Sequence, residues 1–283
     1  ICVDNVGSGQ LSNLDQFRSK PEFRFIRTDI RDFQHLPPAD EVYHLASRAS
    51  PKDFTEHPVK IALTNTEGTR NLLDYTLKYD AKMLFASTSE VYGDPKVHPQ
   101  SEEYTGNVNI RGKRGCYDES KRFGETLTVA YNNQYDLDVR TVRIFNTYGE
   151  RMRIDDGRVV PNFLSQAIRG EDLTIYGEGT QTRSFCYVDD LIAGLRATMS
   201  TADMKGDVVN LGNVNEMEIR ELAEIVLDVC DTESGIVYEE LPEDDPKRRK
   251  PDITKAKERL DWEPSVPLRE GIRNTAEYFA ERI

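Results

Sequence analysis

The chain has 283 residues, 37% hydrophobic and 31% charged, with a formal net charge of −13. That length can bury one large core or two modest ones, and the acidic balance repels phosphate backbones, which disfavours nucleic acid as a partner. No apolar run approaches the ~20 residues of a membrane span, and the opening Ile1-Cys2-Val3-Asp4 lacks the basic start of a signal peptide, so a soluble, cytoplasmic protein is expected.

Short β-rich runs alternate with helical patterns through the first half. Ile1–Val3, Phe23–Arg27, Glu41–Ala46, Lys82–Ser87 and Val139–Phe145 read as strands of a mostly parallel sheet, with helices over Val59–Lys78 and Tyr117–Tyr135. Phe123, Leu127 and Tyr131 repeat at helical spacing and give the second helix an apolar face. Strand–helix alternation of this kind predicts an α/β fold, a doubly wound Rossmann-type sheet. In the second half, Pro161–Ile168 reads as a helix, and Leu173–Tyr176, Ser184–Val188 and Val208–Leu211 as strands. Ile219, Leu222, Val226 and Val229 form a helical stripe, and Leu268, Ile272 and Phe279 another, while the proline-bearing Leu241–Pro251 reads as a surface loop. A smaller α/β unit carried on the sheet is expected, with residues 1–148 plus about 184–212 in the sheet domain and 149–183 plus 213–283 in the smaller one. Cys2, Cys116, Cys186 and Cys230 are scattered, as are His35, His44, His57 and His98, so neither a disulfide framework nor a metal site is expected.

Three local patterns carry chemistry. Asp4 ends the first strand, where a carboxylate in a dinucleotide fold accepts hydrogen bonds from ribose hydroxyls and repels a 2′-phosphate. A lone strand-ending Asp beside Asn5 in a turn is equally common. The run Ser87-Thr88-Ser89-Glu90-Val91-Tyr92-Gly93 lies at the carboxyl end of a strand, where open α/β sheets bind ligands. About thirty positions later, Tyr117 and Lys121 open a helix at i, i+4 spacing, which sets them on one face. An ammonium beside a phenol lowers its pKa, and the tyrosine can then act as a base near neutrality. Tyr-x-x-x-Lys alone is a weak signal; after a hydroxyl-rich strand end it is far stronger.

These patterns fall in the order seen in the extended short-chain dehydrogenases. Asp4-Asn5, Thr28–Asp32, Tyr43–Ser47, Thr88–Gly93, Tyr117–Lys121, Arg143–Gly149, Gln181–Phe185 and Arg249–Asp252 together make the chain resemble that family along nearly its whole length. The family's first strand, glycine-rich turn and first helix have no counterpart; they would occupy roughly 30 residues before Ile1, and a truncated sequence is expected. The resemblance implies NAD as cofactor, held by Asp4, Asn5, Asp29, Ile30, Leu45, Ala46, Thr64, Tyr117, Lys121, Thr147 and Arg158. It implies a nucleotide-sugar substrate on Ser47, Asn146, Val160, Asn162, Phe163, Tyr176, Arg183 and Arg249. Arg183 and Arg249 are the expected diphosphate clamp, because a guanidinium grips phosphate oxygens bidentately. It further implies a homodimer built on the helices Val59–Lys78 and Tyr117–Tyr135.

Within the family, Thr88-Ser89-Glu90 narrows the reaction. Epimerases usually carry a small residue at Glu90, and dTDP-glucose 4,6-dehydratases usually read Thr-Asp-Glu. Ser-Glu is similar to UDP-glucuronate decarboxylases and to GDP-mannose dehydratases. Longer stretches, Gly93–Gln100, Gly115–Arg122, Asp156–Phe163 and Asp244–Asp252, look like the decarboxylases that make UDP-xylose. Two positions depart from that pattern: Arg48 stands where a proline is usual, and Leu63 where a substrate-facing basic residue is usual, which makes Arg48 the candidate to replace the lost charge. The expected catalytic set is Tyr117, Lys121, Thr88, Glu90 and Ser89, acting on UDP-glucuronate. Alternatives are a 4-epimerase or 4,6-dehydratase of the same family, or a member that binds a sugar nucleotide without catalysis.

Overall fold

The computed structural model describes residues 1–240 and 248–283. The chain opens on β1 (Cys2–Asp4), which pairs in parallel with β2 (Phe25–Arg27), Val3 opposite Ile26. Next come β3 (Glu41–His44), the short helices α1 (Pro51–Glu56) and α2 (Pro58–Leu63), a π-helical turn over Thr64–Gly68, and α3 (Thr69–Tyr79). Then β4 (Lys82–Thr88) runs into a 3-10 turn at Ser89–Tyr92, and α4 (Gly115–Tyr135) leads to β5 (Val139–Ile144) and the two-residue β6 (Thr147–Tyr148). The segment read as one helix over Val59–Lys78 is therefore α2 and α3 with a widened turn between them. Such π turns are rare and collect at functional sites.

The second half holds α5 (Val159–Arg169), β7 (Leu173–Tyr176), β8 (Thr182–Ser184), β9 (Cys186–Tyr187), α6 (Val188–Ser200), β10 (Val208–Leu211) and β11 (Glu216–Glu218). It ends with α7 (Ile219–Cys230), β12 (Ile236–Glu239), β13 (Arg248–Arg249), α8 (Thr254–Leu260) and α9 (Leu268–Ala280). The expected strand Ser184–Val188 is broken at Phe185 into β8 and β9, and Val188 already starts α6. Of the expected loop Leu241–Pro251, residues 241–247 lie outside the described residues. Arg248 and Arg249 are not loop but a strand, because they find backbone partners on β8 at Thr182 and Arg183.

β3, β4, β5 and β10 form one all-parallel sheet in the order β10-β5-β4-β3. Its central strand explains why: Met83 through Thr88 are all buried, so both faces are covered, as parallel sheets require. Alternate residues serve opposite layers. Met83 and Phe85 pack under Leu72 and Leu73 of α3 and Leu127 of α4, while Leu84 packs with Leu191 and Leu195 of α6 and Trp262 after α8. α4 crosses the sheet so closely that a Cβ at Gly124 would lie 2.5 Å from the Phe85 ring. A separate core joins Phe163 and Leu164 of α5, Leu173 and Ile175 of β7, Leu222 and Val226 of α7, and Ile272 and Phe279 of α9. Among the described residues no helix is long and apolar enough to cross a membrane.

Candidate active site

β4 delivers Thr88 to the edge of the sheet, and the chain turns there because the Thr88 hydroxyl accepts the Glu90 N–H at 3.2 Å. The first turn of α4 brings Tyr117 beside it, stacked on Phe54 of α1 with ring centroids 5.0 Å apart. One turn on, the Lys121 Nζ donates to the Ala86 carbonyl at 2.7 Å and lies over the rings of Phe85 (5.1 Å) and Tyr117 (5.9 Å). Tyr117, Lys121, Thr88 and Ser89 are all buried. The expected pKa coupling takes a different form here. Burial pushes the Tyr117 phenol up to about 12, and the main opposing influence is its hydrogen bond with Thr88, not the ammonium. Burial also pushes the Lys121 ammonium down to about 7.

Two cavities carry most of the remaining expected residues, and the first adjoins Tyr117 and Thr88 through Phe54 and Glu90. The first, of about 390 Å³, is lined by Glu90, Asn146, Thr147, Arg158, Val160, Asn162, Phe163, Tyr176, Arg183 and Arg249 of the expected site. Lys113, Arg114 and Phe54 join them there, none of which was anticipated from the sequence. A signal existed for the first two. Cations just ahead of a helix N-terminus oppose its dipole, so a Lys-Arg pair before α4 suggests that something anionic sits nearby. Among the described lining residues, five cations face one carboxylate. That carboxylate, Glu90, takes Arg249 bidentately, with Nη2 at 3.0 Å, and Arg114 Nη2 at 2.6 Å. Burial opposes its charge, but Arg249 and Arg114 outweigh this and hold Glu90 well below the usual carboxylate range. The fork of Arg249, expected on a diphosphate, is thus turned to Glu90. Its position is set by register: β13 places Arg249 as the backbone partner of Arg183 on β8.

The second cavity, a trough of about 410 Å³, runs across the ends of β1, β2 and β3 and carries Asp4, Asn5, Asp29, Ile30, Leu45, Ala46, Ser47 and Thr64. Three residues sit elsewhere than expected. Ser47, read as a substrate contact, lies in the trough, whereas Thr147 and Arg158, read as cofactor contacts, line the first cavity. Arg48 is not a stand-in for a substrate-facing charge. It lines the trough, bonding Asp53 at 2.9 Å and the Gly7 carbonyl, and neither it nor Leu63 lines the first cavity.

The trough suits the dinucleotide that the resemblance implies. Asp4 Oδ1 accepts the Val6 N–H at 2.6 Å, and Asp4 lines the trough, as a carboxylate that takes ribose hydroxyls would. Asp29 is fixed by Asn5 (2.9 Å) and by Arg31 (3.0 Å), and these bonds hold its carboxyl far below its ordinary value.

The model of the NAD dependent epimerase/dehydratase family matches residues 4–212. The chain is 49% identical over 283 residues to UDP-glucuronic acid decarboxylase 5 of Arabidopsis thaliana, covering 100% of this chain and 82% of that one. It is 47% identical over 281 residues to UDP-glucuronic acid decarboxylase 1 of Danio rerio, covering 99% and 66%. Among solved structures it superposes on UDP-glucose 4-epimerase of Thermotoga maritima, crystallised with UDP-glucose, with a TM-score of 0.89, 30% identity and coverage of 99% and 90%. UDP-glucuronic acid 4-epimerase of Bacillus cereus, in complex with UDP-glucuronic acid and NAD, matches with a TM-score of 0.86, 27% identity and coverage of 95% and 85%. The chain, which brings Tyr117, Lys121 and Thr88 together, belongs to the NAD dependent epimerase/dehydratase family.

Proposed function

We propose that this protein removes carbon dioxide from UDP-glucuronate to give UDP-xylose, by way of a 4-keto sugar and with NAD in the trough. The observation that carries the reading is the charge of the first cavity. In a chain of net charge −13, the described residues that line it include Lys113, Arg114, Arg158, Arg183 and Arg249 but one carboxylate, Glu90, with Arg158 held by Asp156 outside the lining. A lining so rich in cationic donors suits a ligand with a diphosphate and a carboxylate, about three negative charges at neutral pH. The decarboxylases to which the chain is nearly half identical act on such a sugar by name.

In this reading Tyr117 accepts the proton of the C4 hydroxyl as that carbon is oxidised, and Thr88 hydrogen-bonds the oxygen as it becomes a ketone. Bound NAD supplies a hydride acceptor in this step and the donor that later reduces the ketone. The ketone is β to the C6 carboxylate. The C5–C6 bond breaks, carbon dioxide leaves, and the electron pair is held as an enolate whose oxygen faces Thr88 and Tyr117. A proton supplied by water then adds to C5 in place of the lost carboxylate, and hydride return at C4 with a proton from Tyr117 restores the hydroxyl. Lys121, fixed on the Ala86 carbonyl, holds its ammonium over the Tyr117 ring and favours the phenolate when that forms. Ser89 and Glu90 position the sugar; Asn146, Arg183 and Arg249 are assigned to the diphosphate side, and Tyr176 to the uracil.

One observation separates this from dehydration. A dehydratase would use Glu90 as the base at C5, yet Arg249 and Arg114 hold that carboxylate ionised and engaged, which makes it a weak base. Incubation with UDP-glucuronate and NAD tests the proposal. Carbon dioxide and UDP-xylose support it; UDP-galacturonate without gas points to the epimerase, and binding with no conversion to a non-catalytic role.

We further propose a sheet domain (1–148 with about 184–212) and a smaller substrate domain (149–183 with 213–283); the core of Phe163, Leu173, Leu222 and Ile272 favours this division, whereas Ile253, Ala256, Leu260 and Trp262 pack with the sheet and speak against assigning them to the smaller unit. Phe123 and Val129 on α4 are 49% and 52% exposed, and this supports a homodimer formed through α4; a monomeric mass in light scattering would refute it. Four free cysteines are in keeping with a reducing, cytoplasmic setting.

A further inference from the structure

Tyr117 is held by a residue that has no part in the steps above. Phe54, on α1, is 5% exposed, and its ring lies against the Tyr117 ring with centroids 5.0 Å apart and planes inclined by 21°. Among the described residues it is the one aromatic ring stacked on Tyr117. Ile61 of α2, Ala49 and Cys116 complete the apolar patch around the pair. Those side chains fill space but cannot set a plane, whereas a second ring laid on the first does. α1 is fastened by more than its own length provides, since a helix of six residues is not stable alone. Pro51 opens it, the Ser50 hydroxyl donates to the Asp156 carbonyl, and Asp53, 3% exposed, is paired with Arg48 at 2.9 Å and Arg153 at 3.6 Å. Successive helical residues point about 100° apart, so this charged anchor and the Phe54 ring face different ways. Phe54 lines the first cavity with Pro51 and Thr55, while Asp53 is tied to Arg48 in the trough.

We propose that Phe54 is a positioning residue for Tyr117: laid flat against the phenol, it fixes the plane in which the C4 hydroxyl proton passes to the Tyr117 oxygen while hydride leaves C4 for NAD. An aromatic ring turns about its Cβ–Cγ bond through a broad torsional range. That rotation leaves the phenol oxygen on its axis but swings the in-plane directions along which the oxygen gives and accepts a proton. The Lys121 ammonium, 5.9 Å from the Tyr117 centroid, does not block the rotation; a ring stacked on the face does. Alignment at this step matters, because a misplacement of about 1 Å can slow a reaction about 100-fold. In keeping with a closed face, burial is the largest influence on the Tyr117 phenol and pushes it up to about 12. This inference rests on the reading above, that Tyr117 takes the proton at C4.

Rapid mixing of the whole chain, loaded with NAD, with saturating UDP-glucuronate tests it. The absorbance of reduced cofactor reports oxidation at C4 and no later step. Phe54→Leu keeps the apolar volume and removes the flat face, whereas Phe54→Tyr keeps the face. Phe54→Leu is expected to slow cofactor reduction by about 10- to 100-fold, while its calorimetric Kd for UDP-glucuronate stays within about threefold. Phe54→Tyr is expected to recover most of the rate. A side chain that merely filled space would be replaced as well by leucine as by tyrosine. Phe54→Met, unbranched and adaptable, carries the same expectation as leucine and serves where leucine unsettles the fold. Reduction in Phe54→Leu within about threefold of the unaltered protein overturns the proposal. So does Phe54→Tyr as slow as Phe54→Leu. Carbon dioxide is collected from the same samples. Reduction that depends on Phe54 but yields no gas sinks the decarboxylase reading alone; gas with equal reduction rates in every variant sinks this inference alone.

Discussion

The two cavities differ in the charges that line them. In the trough the protein neutralises its own charges: Arg31 is held by Asp29 and Arg48 by Asp53. Asp4 faces that space as an acceptor, suited to hydroxyl groups. Among the described residues the first cavity is lined by five cations and one carboxylate, with Arg158 held by Asp156 and with Arg249 and Arg114 both held by Glu90. On the proposed reading, two phosphate-bearing ligands are recognised differently, one through fixed hydrogen-bond acceptors and one through a lining rich in cations. A fixed acceptor discriminates by geometry, whereas a cationic wall attracts any anion and needs a second device for selectivity. The buried Glu90 cluster is where such a device would sit.

Replacing groups on one side at a time should break or sharpen this contrast. The largest effect is expected at Tyr117, where Tyr117→Phe should cut carbon dioxide release by about 100- to 10,000-fold while calorimetric binding of UDP-glucuronate is kept. Activity above a few per cent of the unaltered protein would remove Tyr117 from the chemistry. Glu90→Gln comes next. It should still oxidise the sugar in a single turnover but release carbon dioxide about 100-fold more slowly, the scale expected when a reacting group is misplaced; rapid-mixing absorbance alongside gas release distinguishes the steps. Arg114→Gln should weaken UDP-glucuronate by about tenfold, as for a lost charged hydrogen bond, and leave NAD affinity unchanged. If both affinities fell together, the two cavities would not be independent. The smallest change is expected in the trough. Asp4→Ser should narrow the preference for NAD over NADP by several-fold in competitive binding, with UDP-glucuronate affinity unaltered.

Much of this was legible because it is local. The i, i+4 spacing of Tyr117 and Lys121 and the hydroxyls that end β4 are set within single elements, and the structure brings them together. What escaped is tertiary. Phe54 meets Tyr117 only because α1 folds back over α4, and nothing in the Lys-Asp-Phe-Thr run around it announces that. Arg48 looked like a spare charge for the sugar, but its direction is decided by Asp53 and the Gly7 carbonyl on the far side of the strand end. The helix α6 is a different kind of miss. Leu191, Leu195 and Met199 repeat at i, i+4 and all are buried, so the signal was present; reading a strand on to Val188 hid the start of the helix. For Tyr117, spacing placed the ammonium near the phenol but could not weigh that against burial, which depends on everything packed around them.

The pairing of β13 with β8 has a consequence for comparing related chains. Lys247, Arg248, Arg249 and Lys250 are four cations in a row, alike to any comparison made by residue class. Among the described three the register selects: Arg249 lies inside, paired with Arg183, while Arg248 is exposed opposite Thr182. The Lys250 N–H is meanwhile fastened to the Gln100 side chain at 3.0 Å and the Lys250 carbonyl to the Gln100 N–H at 2.9 Å. A one-residue slip would keep the composition, the charge and the apparent motif, yet would turn the wrong cation toward Glu90. Relatives with an insertion or deletion near this point should therefore be aligned by the Gln100 clasp, since counting basic residues cannot reveal which of them has lost its site.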